Sequence, residues 1–317
     1  MDNITNNNNT NLSYRVLNMN TYLNDIMPSE IEDFKKRERI YSGYRNIDEI
    51  THIYPGLYIL GAISSLGKTT FACQMADQMA KNGENVIYFS MEQSALELCS
   101  KSISRITCEK NSNTALSSLE IRKTIEPDDT IKTAKEAYMG FANNITLIEG
   151  TFETTIDDIE KYVDEFVKKR EVKPVVIIDY LQIIQAPKDS RMTTKDLIDS
   201  YIRRLKQIQT KHQIVMLVIS SLNRQNYLSQ IDYESFKESG GIEYTADVIW
   251  GLQLNAIHDE IFNKANNINE KRERIRQAKS ANPRKIELVC LKNRFGISSY
   301  SCLFDYYPQY DLFKPSV

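Results

Sequence analysis

Short, almost unbroken apolar runs alternate along most of the chain with longer stretches in which apolar residues recur every three or four positions. Leu57-Tyr58-Ile59-Leu60, Val86-Ile87-Tyr88-Phe89, Val175-Val176-Ile177-Ile178 and Ile214 to Ile219 are of the first kind. Runs of that length, rich in Val and Ile and bounded by polar or turn residues, read as strands buried on both faces of a parallel sheet. Between them, Phe71, Ala72, Met75, Ala76 and Met79 share one helical face, and Asn82-Gly83 ends that helix. Leu96, Cys99, Ile103 and Ile106 mark a second helix, followed by a polar region from Cys108 to Thr130. Ile156, Ile159, Val163, Phe166 and Val167, capped by Thr155, mark a third helix, and Leu197, Tyr201, Leu205 and Ile208 a fourth. Strands alternating with helices predict an α/β fold, a mostly parallel twisted sheet with helices on both faces.

The two ends depart from this rhythm. Residues 1 to about 20 are Asn-rich and aperiodic, which predicts a flexible tail, and Pro28 to Arg39 reads as a short charged helix with few apolar positions. Residues 1–40 are therefore expected to be tail and linker helix, and 41–317 a single α/β domain without a second linker. In the last third, Ala246 to Leu254 reads as a strand and His258 to Lys285 as a charged stretch. Ile286 to Leu291 and Ser298 to Phe304 predict a C-terminal β-hairpin with Asn293-Arg294-Phe295-Gly296 at its tip. The basic run Lys271 to Arg276 is interleaved with Glu273 and lacks aromatics, so it reads as a solvated helix.

Composition narrows the class. At 317 residues, 41% hydrophobic and 26% charged, the chain has an ordinary globular make-up. A net charge of −2 gives no global basic signal, so any contact with nucleic acid must be local. Five scattered cysteines without a Cys-x-x-Cys pair, and only three histidines, argue against structural zinc and a disulfide framework. The start lacks the basic and apolar regions of a signal peptide, and no apolar run approaches the roughly 18 residues of a membrane helix. A soluble, cytoplasmic protein with no membrane partner is the expectation.

The chemistry concentrates after the first strand. Leu57 to Thr70 runs from an apolar strand through a small-residue turn into Gly67-Lys68-Thr69 and a helix start. Backbone N–H groups of such a loop wrap a phosphate, and the helix N-terminus adds partial positive charge. Ala62, Ser64, Ser65, Gly67, Lys68, Thr69 and Thr70 are the candidate nucleotide-binding residues. Lys68 would reach the β/γ-phosphate oxygens of a nucleoside triphosphate and the Thr69 hydroxyl would ligate Mg²⁺. The strict pattern G-x-x-x-x-G-K-[ST] is not met: Ala62 stands where the first glycine belongs, and Gly61 lies one residue early. Asp179 ends an apolar strand, where a carboxylate either supports Mg²⁺ or caps the next helix. Glu92 follows the Val86–Phe89 strand, where it either activates a water or sits at a helix N-terminus favoured by the dipole. Lys292 and Arg294 alternate on one side of the hairpin end, able to project toward one anion or simply solvated.

Phe89-Ser90-Met91-Glu92, Ile178-Asp179-Tyr180-Leu181-Gln182, Glu238-Ser239-Gly240-Gly241-Ile242-Glu243, Ala246-Asp247 and Lys292-Asn293-Arg294-Phe295-Gly296 occur in that order. Together they resemble the C-terminal ATPase domain of DnaB-type replicative helicases, a RecA-like P-loop NTPase fold, from about Tyr41 to Phe313. Members of that family commonly carry Ala at the first loop position. The resemblance implies ATP and Mg²⁺ as cofactors, Glu92 as catalytic base, Asp179 as metal-site aspartate, and Lys292 and Arg294 as groups reaching a neighbouring subunit's nucleotide. It implies a ring, a hexamer, translocating on single-stranded DNA and unwinding duplex in replication, with a loader or primase as further partners. Full-length members carry a large N-terminal domain where this chain has about 40 residues, and linker helices of the family pack on an adjacent subunit, a role expected for Ile31 to Arg39.

Two loops at this sheet edge are candidates for DNA contact, Ala186 to Lys195 with Lys188, Arg191 and Lys195, and Asn223 to Gly241 with Arg224, Lys237, Gly240 and Gly241. One position departs from the family: Ser221 stands where a glutamine normally precedes Leu-Asn-Arg. That glutamine senses the γ-phosphate, and serine is too short to span the gap without a water. ATP binding is expected to survive, with the coupling of hydrolysis to movement weakened. The alternatives are a DnaB-like DNA-binding ATPase that recruits partners without unwinding, and a filament-forming RecA-like recombination protein.

Overall fold

The structure, a computed structural model, describes residues 16–36, 39–126, 128–151, 153–184, 192–223, 228–236, 240–259 and 267–316. Two compact units emerge, Met1–Arg39 and Ile40–Val317. In the first, helical backbone runs from Met19 through a π-helical turn, Tyr22–Ile26, into the helix Met27–Lys36. Asn18 caps it, its side chain accepting from the N–H groups of Asn20 and Thr21. Val16, Met19 and Leu23 are exposed on this unit.

The second unit is built on a nine-stranded sheet in the order β3-β2-β4-β5-β1-β6-β7-β8-β9. The strands are β1 (Gly56–Ala62), β2 (Val86–Ser90), β3 (Ile145–Glu149), β4 (Val175–Asp179), β5 (Val215–Ser221), β6 (Val248–Leu254), β7 (Arg284–Asn293), β8 (Ser301–Tyr307) and β9 (Leu312–Pro315). The six from β3 to β6 run parallel, and β7 to β9 continue the sheet antiparallel. β1, β2, β4 and β6 are buried along their whole length, the signature of their continuous apolar sequence. The expected C-terminal hairpin is β7–β8, with β7 extending to Asn293. β9 has no counterpart in the sequence pattern: four residues entered through Asp311 in the left-handed region are too few to announce a strand.

Helices α1 (Lys68–Lys81), α2 (Ala95–Lys110), α3 (Ser118–Lys123) and α4 (Asp129–Ala142) follow the first strands. Then come α5 (Ile156–Arg170), α6 (Thr194–His212), α7 (Gly240–Thr245) and α8 (Ile268–Ser280). α1 lies along β1 to β4 and packs with α2 and α4, α6 packs against β1 with α5 and α7 beside it, and α8 rests on β6 and β7. α3 lies inside the polar region 108–130, and α4 and β3 continue from it. α2 and α4 bury a small apolar cluster of their own, Ile103, Ile106, Ile131 and Ala134, against which Ile121 of α3 packs. No helix among the described residues is long and apolar enough to cross a membrane.

An aromatic cluster fixes the far end of the sheet to α1. Phe71 stacks on Tyr44 at 4.5 Å and meets Phe304 and Phe313 edge-on at 5.5 and 5.3 Å. The Gln74 amide donates to the Phe313 carbonyl and accepts from its N–H, both at 2.8 Å, so β9 is held to the helix that begins at the loop 63–67. Beneath it, Arg105 is paired with Asp77 and donates to the Asp311 carbonyl, with both charges buried. Phe71→Ala removes a ring with three aromatic neighbours and is expected to cost about 3–5 kcal/mol. Urea unfolding should show that as a lower midpoint.

Candidate functional site

β1 ends at Ala62 and α1 begins at Lys68, leaving the loop 63–67 to turn the chain. Gly67 does so at φ +89°, and a Cβ there would stand 2.9 Å from the Tyr306 ring, so only glycine fits. Ser65 also lies in the left-handed region, at φ +68°. The first turn of α1 has no side-chain cap, so its N–H groups and the positive end of the helix face outward over the loop. Gly61 answers a different need: a Cβ on it would collide with Phe236 and Leu222. It is a packing glycine, not a displaced phosphate-loop glycine.

Cations surround this loop. Lys68 Nζ donates to the Ala62 carbonyl at 3.0 Å. Lys279, at the end of α8, donates to the Ser64 carbonyl at 3.1 Å, and Arg284, at the start of β7, to the Ser65 carbonyl at 2.8 Å. The Arg284 guanidinium also lies 5.7 Å from the centroid of the Tyr306 ring. Thr70 Oγ1 donates to Asp311, which Lys101 neutralises at 2.6 Å. Sequence reasoning misses Lys101, Lys279, Arg284, Tyr306 and Asp311, because each arrives from a distant element.

The carboxyl ends of four neighbouring strands form a row. Ala62 pairs with Ser221, β4 lies on the other side of β5, and Asp179 pairs with Ser90 of β2. The Met91 N–H donates to the Asp179 carbonyl at 2.7 Å, placing Glu92 next to Asp179 in the row. Glu92 is exposed and Asp179 is buried. Burial pushes the Asp179 carboxyl above the usual carboxylate range, as does the Glu92 charge to a lesser degree. Hydrogen bonds from the Thr69 and Tyr88 hydroxyls and the Lys68 charge pull the other way, the Tyr88 bond at 3.0 Å. Gln182 closes the gap between β4 and β5: its Nε2 donates to Ser220 Oγ at 2.9 Å and its Oε1 accepts from the Ser221 N–H at 3.2 Å. The uncapped helix turn and ring of cations suit a polyphosphate, and the hydroxyl and carboxylate of Thr69 and Asp179 are hard oxygen donors suited to Mg²⁺.

Lys292 and Arg294 lie elsewhere. Asn293 pairs with Val248, at the start of β6, and Arg294 donates to Asp247 Oδ1 at 3.2 Å and to the Tyr244 carbonyl at 3.1 Å. Lys292 Nζ donates to the Glu243 carbonyl at 2.6 Å, and burial together with the nearby Arg294 charge lowers its pKa. Asp247 also accepts from the N–H of Leu57, the second residue of β1. The five-residue advance from Leu57 to Ala62 in a strand is about 17 Å. The hairpin cations and the loop 63–67 therefore lie toward opposite ends of β1.

Of the candidate DNA contacts, Lys195 is exposed in the first turn of α6, and Gly240 and Gly241 open α7. The Gly241 N–H donates to Asp199 at 2.9 Å, and a side chain at Gly241 would collide with Asp199. Lys188, Arg191, Arg224 and Lys237 lie outside the described residues.

Comparison with known proteins follows the same geometry. The replicative DNA helicase DnaB of Geobacillus stearothermophilus is 28% identical over 268 residues, 83% of this chain and 51% of that one. The replicative DNA helicase DnaC of Bacillus subtilis is 27% identical over 227 residues, 70% and 48% respectively. The chain thus spans about half the length of these curated relatives. Among solved structures, one described as an ATPase domain superposes with a TM-score of 0.70 at 19% identity, covering 96% of this chain and all of that one. A DnaB-like replicative helicase, described with its interactions with primase, gives 0.71 at 19%, covering 94% and 69%. These likenesses give the sheet and its helices a RecA-like fold. The family model described as the DnaB-like helicase C terminal domain matches residues 39–314, and the chain belongs to that family.

Proposed function

We propose that this chain is the motor of a ring-shaped, six-subunit DNA helicase that hydrolyses ATP between subunits, moves on single-stranded DNA and unwinds duplex during replication. The observation that carries it is the division of the site. The phosphate loop, Asp179 and Glu92 share the carboxyl edge of the sheet, whereas Lys292 and Arg294 sit about 17 Å away at the other edge. A site so divided is completed only when a second copy brings its hairpin to the first copy's nucleotide. Relatives named replicative DNA helicases support the assignment, a neighbour described with primase supports a primase as partner, and a loader is a further proposed partner. Such work belongs in the cytoplasm.

In this reading the N–H groups of 63–67 and Lys68 bind the phosphates, and Thr69 and Asp179 hold Mg²⁺, which when bound neutralises charge on the phosphate oxygens. Glu92, exposed at the end of the row, takes the proton of the attacking water. Arg294 and Lys292 of the adjacent copy stabilise negative charge developing on the transferring phosphoryl group. Lys195, Gly240 and Gly241, with Lys188, Arg191, Arg224 and Lys237, remain the proposed DNA contacts.

Strand displacement on a forked substrate, measured beside ATPase with and without single-stranded DNA, tests the function. DNA-stimulated hydrolysis with no displacement would replace the helicase by a recruitment ATPase, and light scattering that found a filament would point to a recombination protein. Lys68→Ala should lower ATP turnover at least about 100-fold, and Arg294→Ala about 10³-fold, each measured as steady-state phosphate release. Tyr88→Phe removes a bond that favours ionised Asp179, so the Asp179 pKa should rise further. The acid limb of the ATPase pH profile should then move to higher pH while the plateau rate is kept.

A further inference from the structure

Asp247 is the centre of a charge cluster that the proposed reaction does not by itself require. Its side chain is 6% exposed. Oδ2 accepts from the Leu57 N–H at 2.8 Å and from Lys206 Nζ at 2.5 Å, and Oδ1 accepts from Arg294 Nη1 at 3.2 Å. Lys206, from the middle of α6, also donates to Gln209 Oε1 at 2.7 Å. The hairpin tip is pressed against the same place, since a Cβ on Gly56 would stand 2.6 Å from the Phe295 ring.

The two cations on Asp247 are not equivalent. Arg294 makes the longer bond and is 50% exposed, whereas Lys206 makes the shorter bond and is 28% exposed. If Arg294 alone balanced Asp247, moving its guanidinium to another anion would strand a buried carboxylate, a strongly unfavourable event. With Lys206 and the Leu57 N–H in place, Asp247 stays compensated when Arg294 leaves.

We propose that Lys206 is a positioning residue for the site in the neighbouring subunit, the counter-cation that lets Arg294 exchange Asp247 for the nucleotide phosphate of the next copy. Lys206 acts through Asp247 and does not touch the nucleotide. This inference rests on the trans role proposed for Arg294. Removing Lys206 leaves Arg294 as the ion-pair partner of Asp247, with the Leu57 N–H and the more distant Lys292 charge beside it, and holds Arg294 more tightly in its own subunit. A positive charge lost from the cluster therefore weakens the trans site by tightening a cis bond.

Lys206→Met should lower kcat for ATP at least about ten-fold, short of the ~10³-fold attached to a trans arginine itself, with KM for ATP little changed. Lys206→Arg should keep most activity, and Asp247→Asn added to Lys206→Met should restore part of it by removing the charge that traps Arg294. Subunit mixing provides the deciding measurement. Lys68→Ala subunits bring an intact hairpin but no working loop, so mixing them with Lys206→Met subunits should raise ATPase above the sum of the two alone. A misfolded Lys206→Met subunit could not be rescued this way, because the active site in the mixed ring is its own. Arg294→Ala mixed with Lys68→Ala is the reference. If that pair is not rescued, the trans role itself fails. If it is rescued and the Lys206→Met pair is not, or if Lys206→Met alone matches wild type, the role of Lys206 is overturned.

Discussion

A strand paired on both sides keeps its rise per residue, and β1 is such a strand. Its residues from Gly56 to Ala62 are buried along their whole length and bonded on both sides, to β5 and to β6. Its rise fixes the separation of what lies at its two ends. One end receives Asp247, and through it Arg294 and Lys206; the other opens into the loop that Gly67 turns. The division of the proposed site is thus a property of the sheet itself.

Burial is used differently at the two edges. At the carboxyl edge it raises the Asp179 pKa, and hydroxyl donors from Thr69 and Tyr88 offset part of that cost so that an anion can exist there. At the other edge a buried carboxylate is held by two cations and a backbone N–H. In the proposed reaction the first arrangement receives a cation from outside, and the second releases one.

The strands and first helices are legible in the sequence because an unbroken Val/Ile run has few structural alternatives, and Gly67-Lys68-Thr69 after such a run marks a turn into a helix. β9 is not legible, since its hold on α1 depends on the Gln74 side chain meeting Phe313 more than two hundred residues later. Nor are Lys279 and Arg284 on the Ser64 and Ser65 carbonyls, where a charged stretch reads only as solvated until α8 is seen resting on β6 and β7. Gly61 shows the same limit in miniature. Beside a phosphate motif it resembles a misplaced motif residue, and the ring that actually requires it, Phe236, comes from a distant loop. Residues that set a strand, a turn or a motif are readable; residues that reach the loop from a distant element, as Lys279 and Arg284 do, are not.

The separation of the hairpin from the phosphate loop also gives an assembly a sense of direction. In the proposed assembly the surface that donates Arg294 and the surface that receives it are different faces of one chain, so copies joined through them meet head to tail. Each copy then has one neighbour it completes and another that completes it. The two are never interchangeable. A closed ring of this kind is chiral in its connectivity, and an order of events around it has a preferred sense before any strand is threaded through the centre.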